Sequence, residues 1–218
     1  MVTLKLKQIQ VPPGERIILE DVSWQLFEAI LDELGEDRGS RVAYSQETLE
    51  IMAPLPEHER AKVIIGNLVI VLLDELDRNW ECLGSTTFKR KDISAGLEPD
   101  DCFYIQNYQL MIGKDRLDLT VDPPPDLAIE IDVTSKTKIS AYQALRVPEI
   151  WRYENKKLEI NLLQGDQYVK YQISPTFPSF PITELIPRFV EMARTTGTSS
   201  AIRKFRQWVK EQIQDTGT

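Results

Sequence analysis

The segment Pro125-Asp126-Leu127-Ala128-Ile129-Glu130-Ile131-Asp132-Val133 restricts the fold of this chain more than any other. It alternates with a period of two, the signature of a β-strand. Leu127, Ile129, Ile131 and Val133 share one face, expected to lie in a core. Ala128, Glu130 and Asp132 share the other. Two carboxylates at i and i+2 are thus aimed into the same space, and their repulsion opposes that arrangement unless a cation or a proton sits between them. A divalent metal is the economical solution, because hard cations take carboxylate oxygens. A half-exposed strand carrying two solvated acids is the other reading this stretch allows.

The flanking segments add to the acids. A helix is expected to start at Ser135 or Thr137 and to run to about Arg146, with Pro148 ending it. At about 100° per residue, Lys138, Ala141, Tyr142 and Leu145 fall on one face, while Lys136, Ser140 and Gln143 fall opposite. Lys138 therefore points with the apolar stripe toward the sheet, where a lysine needs an anionic partner. A salt bridge, or a stem that snorkels to water, would also satisfy it. Upstream, Glu98-Pro99-Asp100-Asp101-Cys102-Phe103-Tyr104-Ile105 opens a second strand. Asp100 is in phase with Cys102 and Tyr104, and Asp101 with Phe103 and Ile105, so the two acids cannot face one site. Phase favours Asp100, which beside Glu130 and Asp132 would complete a carboxylate cup for Mg²⁺ or Mn²⁺.

The remaining periodicities predict a mixed α/β chain. Ser23 caps a helix from Trp24 to about Glu36. A hairpin pairs Arg41–Ser45 with Thr48–Met52, and a long helix follows over about residues 57–78. Strands are expected over 86–89, 101–105, 149–153, 157–163 and 167–172, then helices over 182–193 and 199–212. This order reads as α/β or α+β around a central mixed sheet flanked by helices. The 218 residues suit a single domain, with residues 1–20 as an N-terminal extension and 196–218 as a C-terminal helix.

Composition narrows the chemistry. The formal net charge is −8, which argues against gripping nucleic acid through bulk positive charge. The balance is −11 over residues 1–150 and +3 over 151–218. A single histidine, His58, and two cysteines, Cys82 and Cys102, exclude zinc fingers and multi-histidine cages. No GxSxG, GxGxxG or Walker sequence is present. The start lacks the pattern of a signal peptide, and the longest apolar stretch, 63–73, is about half of what a membrane span needs. The expectation is a soluble cytoplasmic protein with no membrane partner.

Pro-Asp, then a strand acid, then a lysine resembles the signature of the PD-(D/E)xK nuclease superfamily. More closely, the chain resembles the bacterial restriction-endonuclease relatives of the Uma-two family. The similarity rests on residues 53–58 (Ala-Pro-Leu-Pro-Glu-His), Glu98-Pro99-Asp100, Pro125 to Glu130, Lys138 with Tyr142, and Val147 to Tyr153, and it covers roughly residues 20–195. Glu130-Ile131-Asp132 departs from the usual pattern, with aspartate where the lysine would stand. Lys138, on the following helix, is the matching lysine. Asp132 is then a third metal ligand, a partner of Lys138 or a surface acid. The resemblance implies a restriction-endonuclease-like core and a Mg²⁺-dependent (or Mn²⁺-dependent) endonuclease acting on DNA. Asp100 and Glu130 would hold the metal, and Lys138 would orient water or neutralise charge. His58 and Tyr142 are candidate supporting residues, and a homodimer is one option, since a duplex cutter often acts as a symmetric pair. A nuclease-fold protein that binds nucleic acid or a protein without cutting is the alternative.

Overall fold

A computed structural model of the protein describes residues 6–35, 38–132 and 139–216. Lys138, with the expected helix start at Ser135 or Thr137, lies outside the described residues.

Local chemistry sets the first elements. Strand β1 (Arg16–Leu19) precedes helix α1 (Trp24–Leu34), whose first turn is capped by Ser23 Oγ accepting from the Leu26 amide at 3.2 Å. Strands β2 (Arg41–Ser45) and β3 (Thr48–Met52) form the expected hairpin. Gln46 and Glu47 at its tip both have positive φ (50° and 56°), the mirror-type turn that matches strand twist. Helix α2 (Pro56–Glu75) opens with proline at its first position and with Glu57 and Glu59 in its first turn, all three favourable at a helix N-terminus.

Two sheets follow rather than the one expected. Short strands β4 (Glu81–Cys82), β5 (Phe88–Arg90), β6 (Ala95–Leu97) and β7 (Asp101–Tyr104) lead through helix α3 (Tyr108–Met111) to β8 (Leu127–Asp132). Helix α4 (Ile139–Leu145) then connects to β9 (Glu149–Glu154), β10 (Lys157–Gln164) and β11 (Gln167–Tyr171), and the chain closes with helices α5 (Ile182–Thr196) and α6 (Thr198–Thr216). The first sheet has the order β1-β3-β2-β6-β5 and is antiparallel throughout. The second, β11-β10-β9-β8-β7-β4, is mixed, with β8 and β9 parallel across the α4 crossover. That second sheet is the central mixed sheet flanked by helices. The hairpin does not join it. It belongs to the separate first sheet with β1 and β6, which sequence did not suggest. β6 is only Ala95-Gly96-Leu97, too short for alternation. Gly96 is there because the Phe27 ring packs across it, and a Cβ would meet that ring at 2.9 Å.

The mixed sheet is buried on both faces. Phe103, Leu127, Ile129, Ile131, Trp151 and Ile160 face α2, α5 and α6. Cys102, Tyr104, Ala128 and Ile150 face α4 and the first sheet's Phe88, Ala95 and Leu97. On the first sheet's far side, the Phe27 ring stacks on Tyr44 at 4.4 Å between centroids. The expected helical face holds, since Ala141, Tyr142 and Leu145 are all buried. Ser140 does not turn to open solvent. Its hydroxyl meets Ser45 of β2 at 2.8 Å, because α4 lies between the sheets.

Only Glu98-Pro99-Asp100 connects β6 of one sheet to β7 of the other. Glu98 anchors the crossing. Its carboxylate accepts from the Arg38 guanidinium, from the Thr87 hydroxyl and, at 3.2 Å, from the Val42 amide. Its own amide donates to the Val42 carbonyl at 3.0 Å. Removing this carboxylate strands a buried guanidinium, so Glu98→Ala should lower stability by about 3–5 kcal/mol. In urea this would appear as a lower midpoint with an unchanged slope.

Candidate active site

The crossing delivers Asp100 to the C-terminal end of β8. Asp100 is buried, and its Oδ2 accepts from the Ile131 amide at 2.8 Å. Since β7 and β8 are antiparallel with Asp101 opposite Ile129, Asp100 lies beside Glu130. Their side chains lie close enough for Asp100 to act directly on the Glu130 carboxyl. The phase argument from sequence therefore holds. Asp100 serves the Glu130 face, while Asp101 turns to α2. There Asp101 accepts from the Cys82 thiol at 3.1 Å and from the Cys102 amide at 2.9 Å. It also sits against Gly66, where a Cβ would lie 2.5 Å from its Oδ2. Both cysteines are free, and burial beside Asp101 pushes the Cys82 thiol up to about 12.

Glu130 projects toward α4, where the Tyr142 hydroxyl donates to its Oε1. Part of Glu130 keeps contact with solvent, but its carboxyl is enclosed closely enough to be held well above the usual carboxylate range. Burial is the largest cause, followed by the charges of Asp100 and then Asp132. The Tyr142 hydrogen bond opposes the shift without cancelling it. Tyr142 is itself pushed well up, first by burial and then by the Glu130 charge, so its proton stays available to donate.

His58, in the first turn of α2, is buried with its Nε2 3.1 Å from Asp100 Oδ2. Neither ring nitrogen meets hydrogen-bond geometry with a partner, so this is a close polar contact rather than an aligned bond. Asp132 is buried too, which removes the surface-acid reading. Its Oδ2 accepts from Arg152 Nε at 3.0 Å and from Arg152 Nη2 at 2.5 Å. In sequence Arg152 is only one member of the 147–153 run. The signal available was its phase with Ile150 on β9, but its position beside Glu130 comes from the parallel register, which no local pattern encodes.

The other matched acids hold the frame. Asp126, at the opposite end of β8, accepts from the amides of Ile105, Gln106 and Asn107 at 2.7, 2.9 and 3.3 Å. Glu149 accepts from Trp151, Ser174 and Thr176, each at 2.6 Å. Glu50 and Glu57 pair with Arg16 and Arg194.

A sequence model of the Uma2 family, described as "Putative restriction endonuclease", matches residues 24–196. The chain belongs to the Uma2 family. Comparison with curated proteins found no match. Among solved structures, the chain is similar to one titled as a "putative nuclease belonging to DUF820" from Anabaena variabilis ATCC 29413. Identity is 12%, coverage is 83% of this chain and 99% of that one, and the TM-score is 0.49. All the residues of the site just described lie inside the Uma2 span. Among the described residues, no helix of this Uma2 protein is long and apolar enough to cross a membrane.

Among those residues there is also no group of three or more His, Cys, Asp or Glu side chains arranged to hold a metal ion. The donor set that exists is the adjacent pair Asp100 and Glu130. Two carboxylates are what Mg²⁺ ordinarily takes from a protein that leaves the remaining positions to water and substrate phosphate, so the pair fits such an ion.

Holding Glu130 above its ordinary range costs stability once solution pH exceeds that ordinary range. The folded state keeps the proton and the unfolded state releases it, so stability falls as pH rises from the unfolded value toward the folded one. Glu130→Gln keeps an acceptor for Tyr142 and removes this penalty. In metal-free buffer it should raise the melting temperature at pH 8, by about 2–4 °C for each 1 kcal/mol relieved. Near pH 4 the gain should vanish. Equal melting curves at both pH values would contradict the assignment.

Proposed function

We propose that this protein is a metal-dependent endonuclease that hydrolyses phosphodiester bonds in DNA, with Mg²⁺ or Mn²⁺ as its cofactor. The observation that carries the reading is the pairing of Asp100 and Glu130, two carboxyl groups from adjacent strands enclosed together, with no lysine or arginine among the described residues ion-paired to either and only the His58 ring against Asp100. Membership in the Uma2 family supports the same reaction class.

Asp100 and Glu130 would hold the ion. Bound there, it would supply Lewis-acid chemistry, lowering the pKa of a coordinated water and stabilising charge on the scissile phosphate. The residues of the chain prepare that site. The Ile131 amide fixes one oxygen of Asp100, and the Tyr142 hydroxyl fixes Oε1 of Glu130. His58 lies against Asp100 and limits how that carboxylate can turn. Orientation of carboxylate ligands by such neighbours commonly contributes 10- to 100-fold in metal affinity or activity. Lys138 is proposed, from the resemblance in sequence, as a cation for the attacking water or the developing charge.

The test is nicking of supercoiled plasmid in Mg²⁺ or Mn²⁺, with chelator as control. Asp100→Asn and Glu130→Gln should each reduce cleavage by at least about 100-fold, the loss typical of removing one group that stabilises the transition state. His58→Ala should retain more activity than either and require more metal for half-maximal rate. Unchanged cleavage by Glu130→Gln would refute the site. Oligonucleotide binding by a wild type that never cuts would identify a nuclease-fold binding protein instead.

A further inference from the structure

We infer that Arg152 binds a backbone phosphate of the substrate and that Asp132 holds it in place for this purpose. The inference rests on the reading of Asp100 and Glu130 as a phosphodiester-cleaving centre and adds the residue that receives the anionic substrate.

Four observations carry it. The parallel register sets Arg152 opposite Glu130, so both side chains leave the same face of the mixed sheet. The guanidinium is gripped along one edge only, by Nε and Nη2 on a single oxygen of Asp132. At the other edge, Nη1 lies 4.0 Å from Glu159 Oε2, beyond hydrogen-bond reach. Glu159 is a long-range counter-charge there, shared with Lys170, which holds its other oxygen, Oε1, at 2.8 Å, so no hydrogen bond fills the Nη1 edge. Finally, the Arg152 side chain is 14% exposed against 5% for Asp132, so the pair is ordered with the acid inside and the cation toward the rim.

That order has a chemical meaning. A phosphodiester approaching Asp100, Glu130 and Asp132 meets three acids and would be repelled. Pairing Asp132 with Arg152 cancels one of them. It also presents a planar guanidinium whose remaining N–H donors match phosphate oxygens, the geometry in which arginine surpasses lysine. An ion pair buried to this degree adds little net stability over well-packed apolar residues, so stability alone is a weak reason for it. Arg41, a partly buried arginine near the first turn of α2, reaches Glu59 at 3.4 Å and lies on a strand of the first sheet.

The test is the salt dependence of binding, measured in chelator with a short fluorescein-labelled DNA duplex so that cleavage plays no part. Each phosphate contact contributes a slope of about 0.9 to the fall of log K with log salt. Arg152→Ala should weaken binding and reduce the slope by about one contact, whereas Arg152→Lys should keep the slope and lower the cleavage rate. Arg206→Ala, on α6, should change neither. Because Arg152→Ala leaves Asp132 buried without its arginine, Arg152→Met combined with Asp132→Asn provides a second variant that removes both charges together, and it should show the same loss of slope. An unchanged slope in the folded single or double variant would overturn the role of Arg152 while leaving the catalytic reading intact. A wild type that binds no duplex at any salt in chelator would overturn the role of Arg152, and one that in addition nicks no plasmid in Mg²⁺ or Mn²⁺ would overturn both.

Discussion

Two carboxyl groups enclosed side by side cannot both be charged without a counter-charge, and much of this structure is an answer to that constraint. Asp100 is tied to the Ile131 amide, while Glu130 is held well above the usual carboxylate range and receives the Tyr142 hydroxyl. The third acid of the same face, Asp132, is matched with Arg152. Each acid is thus handled by a different device: a backbone donor, a raised affinity for the proton and a guanidinium. A low-dielectric setting makes all three devices necessary, since the same acids in water would need none of them.

The constraint reaches the architecture through the three-residue crossing between the sheets. Asp100 lies beside Glu130 only because Glu98 is fixed on the first sheet by Arg38, Thr87 and Val42. Helix α2 closes the other side. Gly66 lets it approach Asp101 directly, and the same helix carries His58 to Asp100. α4 fills the space between the sheets and brings Tyr142 over Glu130. Frame and site are therefore made by the same contacts.

Much of this was legible in sequence where the information is local. Period-two alternation located β8 and the shared face of Ala128, Glu130 and Asp132. Phase separated Asp100 from Asp101, and helical spacing put Ala141, Tyr142 and Leu145 inward. Pairing was not legible. Nothing local separates the Arg41–Met52 hairpin from the mixed sheet, and β1, β4 and β6 are too short for a period to emerge. The role of Arg152 depends on a parallel register across the α4 crossover. The pairing of Asp132 with it follows from that register, so the sequence left three roles open for Asp132. The burial of the acidic face was equally hidden, because the first sheet and α4 cover it from distant parts of the chain.

The crossing also determines what can be exchanged among relatives. A five-stranded sheet at the start of a chain invites treatment as a detachable module, to be swapped for altered preference. Here its last strand runs straight into Asp100 of the enclosed carboxyl pair, and the clamp on that link draws on Arg38, Thr87 and Glu98 from three separate segments. A recombination joint placed between the sheets would cut through the site itself. Chimaeras should inherit these three residues as a block, with the joint placed after β9, so that Tyr142 and Arg152 travel with the acids they hold.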